Sequence, residues 1–184
     1  MVNLGNKEAE KYSILLKTVR TSVEDVVNES TSAESEETWR GILHDKIPHR
    51  WLQFAYPVGD VTLSRFLKNL KERFEFVLRW GEKGSAMRSY WLPGFYQQEA
   101  FFSAILELNS RRLGVEWRSL GLDFEVTHKA QEKDLRAPAE EGAVYVHGLY
   151  LEGALYDSEL GLVEPPLDGK YRAMPLLKVK TKDI

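Results

Sequence analysis

Cysteine is absent from the sequence. That absence removes disulfide frameworks, thiolate zinc sites, iron–sulfur clusters and cysteine nucleophiles together, and it accords with a reducing compartment. Histidine is scarce as well: His44, His49, His128 and His147 are all there are. His44 and His49 stand five apart across Pro48 and cannot share one helix face, so no three-ligand metal spacing exists. A dominant positive charge is lacking too. The net charge is -3 and the pI about 5.9, and the basic clusters KNLKER (68–73) and SRR (110–112) sit among acids or alone. Nucleic-acid binding needs a basic face that displaces counterions, so no nucleic-acid partner is expected. No apolar run approaches the roughly 20 residues of a membrane span, and MVNLGNKEAEKYS at the N-terminus has no apolar signal core. No membrane partner is expected, and the location should be the cytosol or a compartment continuous with it.

Phosphate loops are missing in the same way. GEKGS (81–85) carries glycine, lysine and serine in the wrong order for a Walker A loop, and it follows a helical pattern in which Gly81 can act as a stop. HGLYLEG has two glycines five apart and no helix pattern after them, so the dinucleotide fingerprint fails. There is no G-x-S-x-G elbow. No cofactor and no catalytic residues follow from the sequence.

What is present is ordinary globular material: 184 residues, 43% hydrophobic and 29% charged, about one domain on a prior of roughly 150 residues each. Residues 7 to about 29 predict a helix, with Tyr12, Leu15, Leu16, Val19, Val23, Val26 and Val27 on one stripe. NESTSAESEE (28–37) has almost no apolar content and reads as a solvated loop. TWRGILHDK reads as a short helix, broken at Pro48. A second long helix is predicted from Leu63 to Trp80, capped by Asp60 or Thr62, with Leu63, Phe66, Leu67, Leu70, Phe74, Val77 and Leu78 buried. Pro93-Gly94 suits a type II turn. A helix from Gln97 to Leu113 follows, with Phe101, Ile105 and Leu108 on one side. The period then changes. LGLDFEVT (120–127) alternates, with Leu120, Leu122, Phe124 and Val126 facing one way and Asp123 and Glu125 the other, as in a half-buried strand. AVYVHGLYLEG and AMPLLKV predict two further strands. Helices first and strands later give an α+β layout, helical over about 7–113 and β over about 118–180. The five tryptophans read as core and junction anchors. Asp123 and Glu125 form a carboxylate pair that, with His147, is the sole candidate for an enzymatic site; a solvated sheet face explains the pair better.

The order of the junction segments is more specific than any of these: IPHRW, AYP, LKNLKERFEFVLRW, YWLPGFYQQEAFFSAIL, LGLDFEVT, VYVHGLYLEGALYD and AMPLL. That series, from about Tyr12 to Val179, resembles the C-terminal domain of dynein heavy chains, and the Trp-Leu-Pro-Gly-Phe form is closer to axonemal than to cytoplasmic members. The motif positions are Pro48, Trp51, Tyr56 and Pro57; Trp91, Leu92, Gly94 and Phe95; and Gly148, Leu149, Gly153 and Asp157. The sequence departs from the family pattern at YPVGDVTL, which is one residue longer, and at Phe66, Asn69 and Tyr156.

The resemblance implies helices followed by a mostly antiparallel, incomplete small β-barrel. Gly148 and Gly153 then act as packing devices in a curved sheet. Independently of the resemblance, the place of Trp91 and Phe95 at a turn joining a long helix to the next one predicts that they anchor the helical half on the strand half. The resemblance implies a non-catalytic regulatory and structural module of a microtubule motor in a cilium or flagellum. Its partners would be the ATPase ring of its own heavy chain and other dynein subunits. A free-standing protein- or peptide-binding module is the alternative, distinguished by whether the reading frame encodes ATPase modules before residue 1. The family pattern continues past KVKTKDI with a further strand and a final hairpin. If that segment is missing, at least one strand from VYVHGLYL or AMPLLKV becomes an open edge, Met174, Leu176 and Val179 lose their cover, and the protein self-associates or is less stable than a version that carries the segment.

Overall fold

The computed structural model describes residues 2–164 and 171–184. They form two compact units, Val2–Glu82 and Lys83–Ile184.

The first unit is helical: α1 (Val2–Val27), α2 (Ala33–Leu43), α3 (His49–Leu52) and α4 (Leu63–Lys83, whose last residue belongs to the second unit). Tyr12 and Leu15 on α1 are fully buried. The helix stops where Glu29 takes a left-handed conformation (φ 52°), with Ser30 donating to the Asp25 carbonyl. The solvated loop predicted over 28–37 is corrected from Ala33 onward, where α2 begins. Ser32 caps it by accepting the Ser35 N–H at 3.1 Å, and Glu34 and Glu36 lie in the first turn, where the helix dipole favours acids. Its buried face is Ser35, Thr38 and Gly41. Small residues at helical spacing carry no hydrophobic signal, which is why the pattern is silent there. A Cβ on Gly41 would lie 2.8 Å from the Lys46 carbonyl oxygen and 3.1 Å from the Pro48 ring, so the backbone turns back tightly against α2.

That turn also starts α4. Asp45 (φ 52°) accepts from the Ser64 N–H at 2.7 Å and the Ser64 hydroxyl at 2.8 Å, and these donors hold its carboxyl below the ordinary range. Thr62 accepts the Arg65 N–H at 3.3 Å. Gly81 does not end the helix; the stop is Gly84, at φ 52°. The buried face of α4 is Leu63, Phe66, Leu70, Arg73, Phe76, Val77 and Trp80, whereas Leu67 and Leu78 are exposed. The stripe is rotated from the predicted one because Arg73 is inside. Its guanidinium lies 3.6 Å from the Tyr56 ring centroid, donates to the Tyr12 hydroxyl at 3.4 Å and donates to Asn69 at 2.7 Å. From Tyr12 and Tyr56 the rings continue to Phe66 and Trp51, with successive centroids 5.8–6.5 Å apart.

Among its described residues the second unit holds α5 (Gln98–Leu113) and eight strands: β1 (Tyr90–Trp91), β2 (Leu120–Val126), β3 (Ala143–His147), β4 (Tyr150–Glu152), β5 (Leu155–Asp157), β6 (Gly161–Val163), β7 (Tyr171–Ala173) and β8 (Leu177–Asp183). The main sheet has the order β1-β3-β8-β2; β4-β7 and β5-β6 are separate two-stranded ribbons. The β1-β3 pair is parallel and the other described pairs are antiparallel. None of the described sheets closes, so the fold is α+β with an incomplete barrel.

Two predicted strands are corrected. VYVHGLYL is not one strand: it breaks at Gly148 (φ 89°) into β3 and β4, which join different sheets. AMPLLKV is not an edge. Pro175 lies outside β8, and β8 is flanked by β3 and β2, with Val179 opposite both Val144 and Phe124. Leu176 and Val179 are fully buried rather than uncovered. Leu122, Phe124, Val126, Leu177, Val179, Val144 and Val146 share one sheet face. Asp123, Glu125, Lys178, Lys180 and Tyr145 share the other. There Lys178 bonds Glu140 at 2.5 Å and holds that carboxyl below its ordinary range.

On α5, Phe101 and Ile105 are buried, but Leu108 is exposed and Asn109 is buried in its place. Its amide donates to the carbonyls of Ile105 (3.2 Å) and Gly142 (2.9 Å). Trp51 and Trp80 are core residues, while Trp39 and Trp117 are exposed, contrary to the reading of all five as anchors.

Burial raises the Tyr12 phenol from 10.0 to about 12. A folded value above the unfolded one means the native state keeps a proton that the unfolded state has lost. Stability is therefore complete below pH 10 and falls as pH rises toward about 12, by roughly 2–3 kcal/mol in all. Urea unfolding across that range should show the loss, and Tyr12→Phe should make the alkaline slope shallower. An unchanged slope would contradict the assignment to Tyr12.

Candidate functional site

The motif residues fall into three places. Trp51 and Tyr56 belong to the aromatic cluster of the helical unit, with Pro48 buried as the N-cap of α3 and Pro57 exposed. Leu149, Gly153 and Asp157 belong to the β-ribbons. Leu149 accepts the Met174 N–H at 2.9 Å. Asp157 closes the β5-β6 turn by accepting the N–H groups of Glu159 (2.8 Å) and Leu160 (2.9 Å), which hold its carboxyl below the ordinary range. Such an Asx turn needs a short carboxylate or amide side chain, which gives Asp157 a conformational explanation.

The third place is the junction of β1, β3 and α5. Ser89 is fully buried and lies 3.0 Å from His147 Nδ1. Trp91 pairs in register with His147, so its ring extends over the next residue, Gly148. A Cβ on Gly148 would stand 2.5 Å from Trp91 Cδ1, 2.6 Å from Nε1 and 2.7 Å from the Pro93 ring. Only glycine combines that closeness with a φ of 89°. Gly153 is different. It also has a positive φ (66°), but a Cβ there would meet nothing within 4 Å, so it serves a turn and not a close approach.

Leu92, Pro93 and Gly94 form a single 3-10 turn in which Phe95 donates to the Leu92 carbonyl at 3.3 Å. Gly94 is not at positive φ, so the expected type II turn is replaced by this tighter one. The turn delivers Phe95 into the core, 4.6 Å from Phe101, whose ring also meets Tyr90 at 5.2 Å and Phe102 at 5.6 Å. Phe102 in turn meets Phe124 edge-on at 5.7 Å. The series of rings runs from the turn through α5 to β2. Phe95 is buried and Trp91 half-buried.

The three residues of the enzymatic candidate are not brought together. Asp123 and Glu125 lie on β2 and His147 on β3, with β8 between them, a gap of about 10 Å across two strand spacings. Asp123 and Glu125 face Lys180 at 3.5 and 3.4 Å, and Asp123 also faces Lys182 at 3.7 Å. His44 and His49 are exposed at the ends of different helices. The arrangement is suited to packing and hydrogen bonding between elements. Among the described residues no helix is long and apolar enough to cross a membrane.

Sequence reasoning missed three polar nodes: Arg73 among the tyrosines, Ser89 against His147, and Asn109 against Gly142. Arg112 belongs to the last of these, donating to the Asn109 side-chain oxygen at 3.1 Å. Arg73 had a visible signal, since positions 63, 66, 70, 73, 77 and 80 keep helical spacing with the arginine included.

The family described as the C-terminal domain of dynein heavy chains matches residues 1–183. Dynein axonemal heavy chain 17 of Mus musculus is 29% identical over 180 residues, 95% of this protein. The dynein-1-beta heavy chain of the flagellar inner arm I1 complex of Chlamydomonas reinhardtii is 32% identical over 93% of this protein. Dynein axonemal heavy chain 11 of Sus scrofa is 31% identical over 95%. The 184 residues span about 4% of the length of each of these relatives.

The two glycines give a paired prediction. Gly148→Ala should cost about 2–4 kcal/mol, from strained backbone plus overpacking against Trp91. Gly153→Ala should cost about 1 kcal/mol from backbone alone. In a Trp91→Ala background the Gly148→Ala penalty should fall by about 1 kcal/mol. Equal penalties at the two glycines, or strict additivity with Trp91→Ala, would show that the close approach carries no energy.

Proposed function

The protein belongs to the family of C-terminal domains of dynein heavy chains, and on that premise we propose that it is a non-catalytic regulatory and structural module of an axonemal dynein heavy chain. In this reading it packs on the motor's ATPase ring and tunes motor output through protein contacts, in a cilium or flagellum. The observation that carries the reading is the family match over residues 1–183, together with relatives whose names are axonemal and flagellar.

The geometry supports the non-catalytic part. A phosphate cradle needs a glycine loop with free N–H groups at a helix N-terminus. Gly81 lies inside α4, Gly84 ends it, and Gly148 lies beneath Trp91. The motif residues Trp51, Tyr56, Leu92 and Phe95 are buried within their own units, so their role is to hold the module's shape, and contacts with a ring fall to the exposed surface.

Two measurements test this. Calorimetry of the protein with ATP and magnesium should show no saturable heat; a micromolar site would overturn the non-catalytic assignment. A heavy-chain motor fragment lacking this segment should bind the module supplied separately, and its microtubule gliding velocity should change when the module is added. No binding and no change in velocity would overturn the regulatory assignment.

A further inference from the structure

We propose, resting on the module reading above, that the outward face of α2 is the surface by which the protein docks on its own heavy chain. That face is formed by Trp39, Ile42 and Leu43, and its occupant is an apolar groove on the part of the heavy chain that precedes this segment.

α2 reverses the usual amphipathic order. Its large apolar residues are all outside: Trp39 is 53% exposed, Ile42 39% and Leu43 62%. Its buried residues are all small: Ser35, Thr38 and Gly41. The small residues have a use within the helical unit, because they let the chain turn back closely against the helix, as Gly41 does beneath the Lys46 carbonyl and the Pro48 ring. The large ones are not needed for that approach. On a helix of 3.6 residues per turn, Leu43 lies about 40° to one side of Trp39 and Ile42 about 60° to the other, so the three make one stripe. Beside it runs the exposed Glu36–Arg40 ion pair, at 2.6 Å. An apolar centre with a polar rim is the anatomy of a protein contact. Single exposed apolar side chains are common on any surface. A tryptophan flanked by two aliphatic residues, on a helix that hides only small ones, is not of that kind.

The size of the stripe says which occupant fits. The exposed parts of the three side chains amount to roughly 300 Å². A free-standing complex buries about 800 Å² on each partner, so the stripe alone holds neither a second copy nor a separate protein. It suffices for a neighbour in the same polypeptide, because a tether raises the effective concentration to about the millimolar range. The family is named for the C-terminal end of heavy chains, and the protein spans about 4% of relatives such as axonemal heavy chain 17 of Mus musculus. Nearly all of such a chain therefore precedes this segment. Along the sequence α1 is the element nearest to that polypeptide, and α2 packs on α1.

The test uses the full-length protein and the heavy-chain motor fragment that lacks this segment. Trp39→Ala together with Leu43→Asp should weaken binding to the fragment at least about thirtyfold, as the loss of a central aromatic anchor does. Leu78 on α4 is similarly exposed, at 51%; Leu78→Asp should change the affinity by less than about threefold. Hydroxyl-radical footprinting of the unaltered protein needs no variant. Oxidation of Trp39 should slow at least about fivefold when the fragment is added, because a docked anchor is closed off from water. Absence of binding by the unaltered protein overturns the module reading and this proposal together. Binding that the double variant retains in full, or that leaves Trp39 open to oxidation, overturns this proposal and leaves the module reading standing. Equal weakening by Leu78→Asp overturns it too, as does a dimer of the protein alone in which Trp39 is already protected.

Discussion

Leu177 to Asp183 forms ladders with two strands at once, and the sheet unit depends on it. Without β8, β2 and β3 share no neighbour, and the two rows that face each other across it, Phe124 with Val126 and Val144 with Val146, lose the Val179 and Leu177 side chains between them. Both faces of the strand are committed. Its apolar side is in the core, and its lysines balance acids contributed by β2 and by Glu140. Exposed ion pairs add little energy singly. Their arrangement in columns instead fixes register, because a slip of one residue would turn Lys178 and Lys180 inward and Val179 outward.

The helical unit is organised by a different device. A buried guanidinium is costly unless its donors and its charge are met. Arg73 has a ring face, a phenol oxygen and an amide oxygen within reach. Each partner comes from a different stretch of sequence: Tyr12 from α1, Tyr56 from the segment after α3, and Asn69 from α4 itself. The arginine therefore ties three elements in a fixed relation that apolar packing alone would leave freer to shift. On the other flank, Ser35, Thr38 and Gly41 keep α2 smooth enough for close approach, and Asp45 couples the end of α2 to the start of α4.

Strong periodicity made the long elements legible. α1, α4, α5 and β2 follow from apolar spacing, and the α+β order follows from the change of period after Leu113. What escaped were features whose physics leaves no apolar signature. The start of α2 rests on a serine cap and a face of small residues. The rotation of the α4 stripe comes from Arg73. The burial of Asn109 in place of Leu108 comes from two carbonyls that only tertiary structure brings near it. The place of β8 in the middle of the sheet is topological, and an alternating pattern of lysine and valine fits an edge as well as an interior strand. At the junction, the glycine in VYVHGLYLEGALYD signalled that a side chain was unwelcome. It took the Trp91 ring to show why at Gly148, and open space to show that Gly153 answers a different need.

The late position of β8 in the sequence also bears on how the sheet is made. A ribosome releases its product from the N-terminus, and domains tend to fold as units in that order. The residues of α1 to α4 that surround Arg73 are all in hand before the sheet begins. The sheet cannot close in the same way, because the partners of β2 in β8 lie about fifty to sixty residues further on. Contacts of that separation are slow to form, since the intervening loop must be ordered first. Until Leu177 to Asp183 emerges, β2 and β3 are translated strands without their shared neighbour. Leu122, Phe124, Val144 and Val146 then present the apolar surface that chaperones bind, and β8 is the strand that withdraws it.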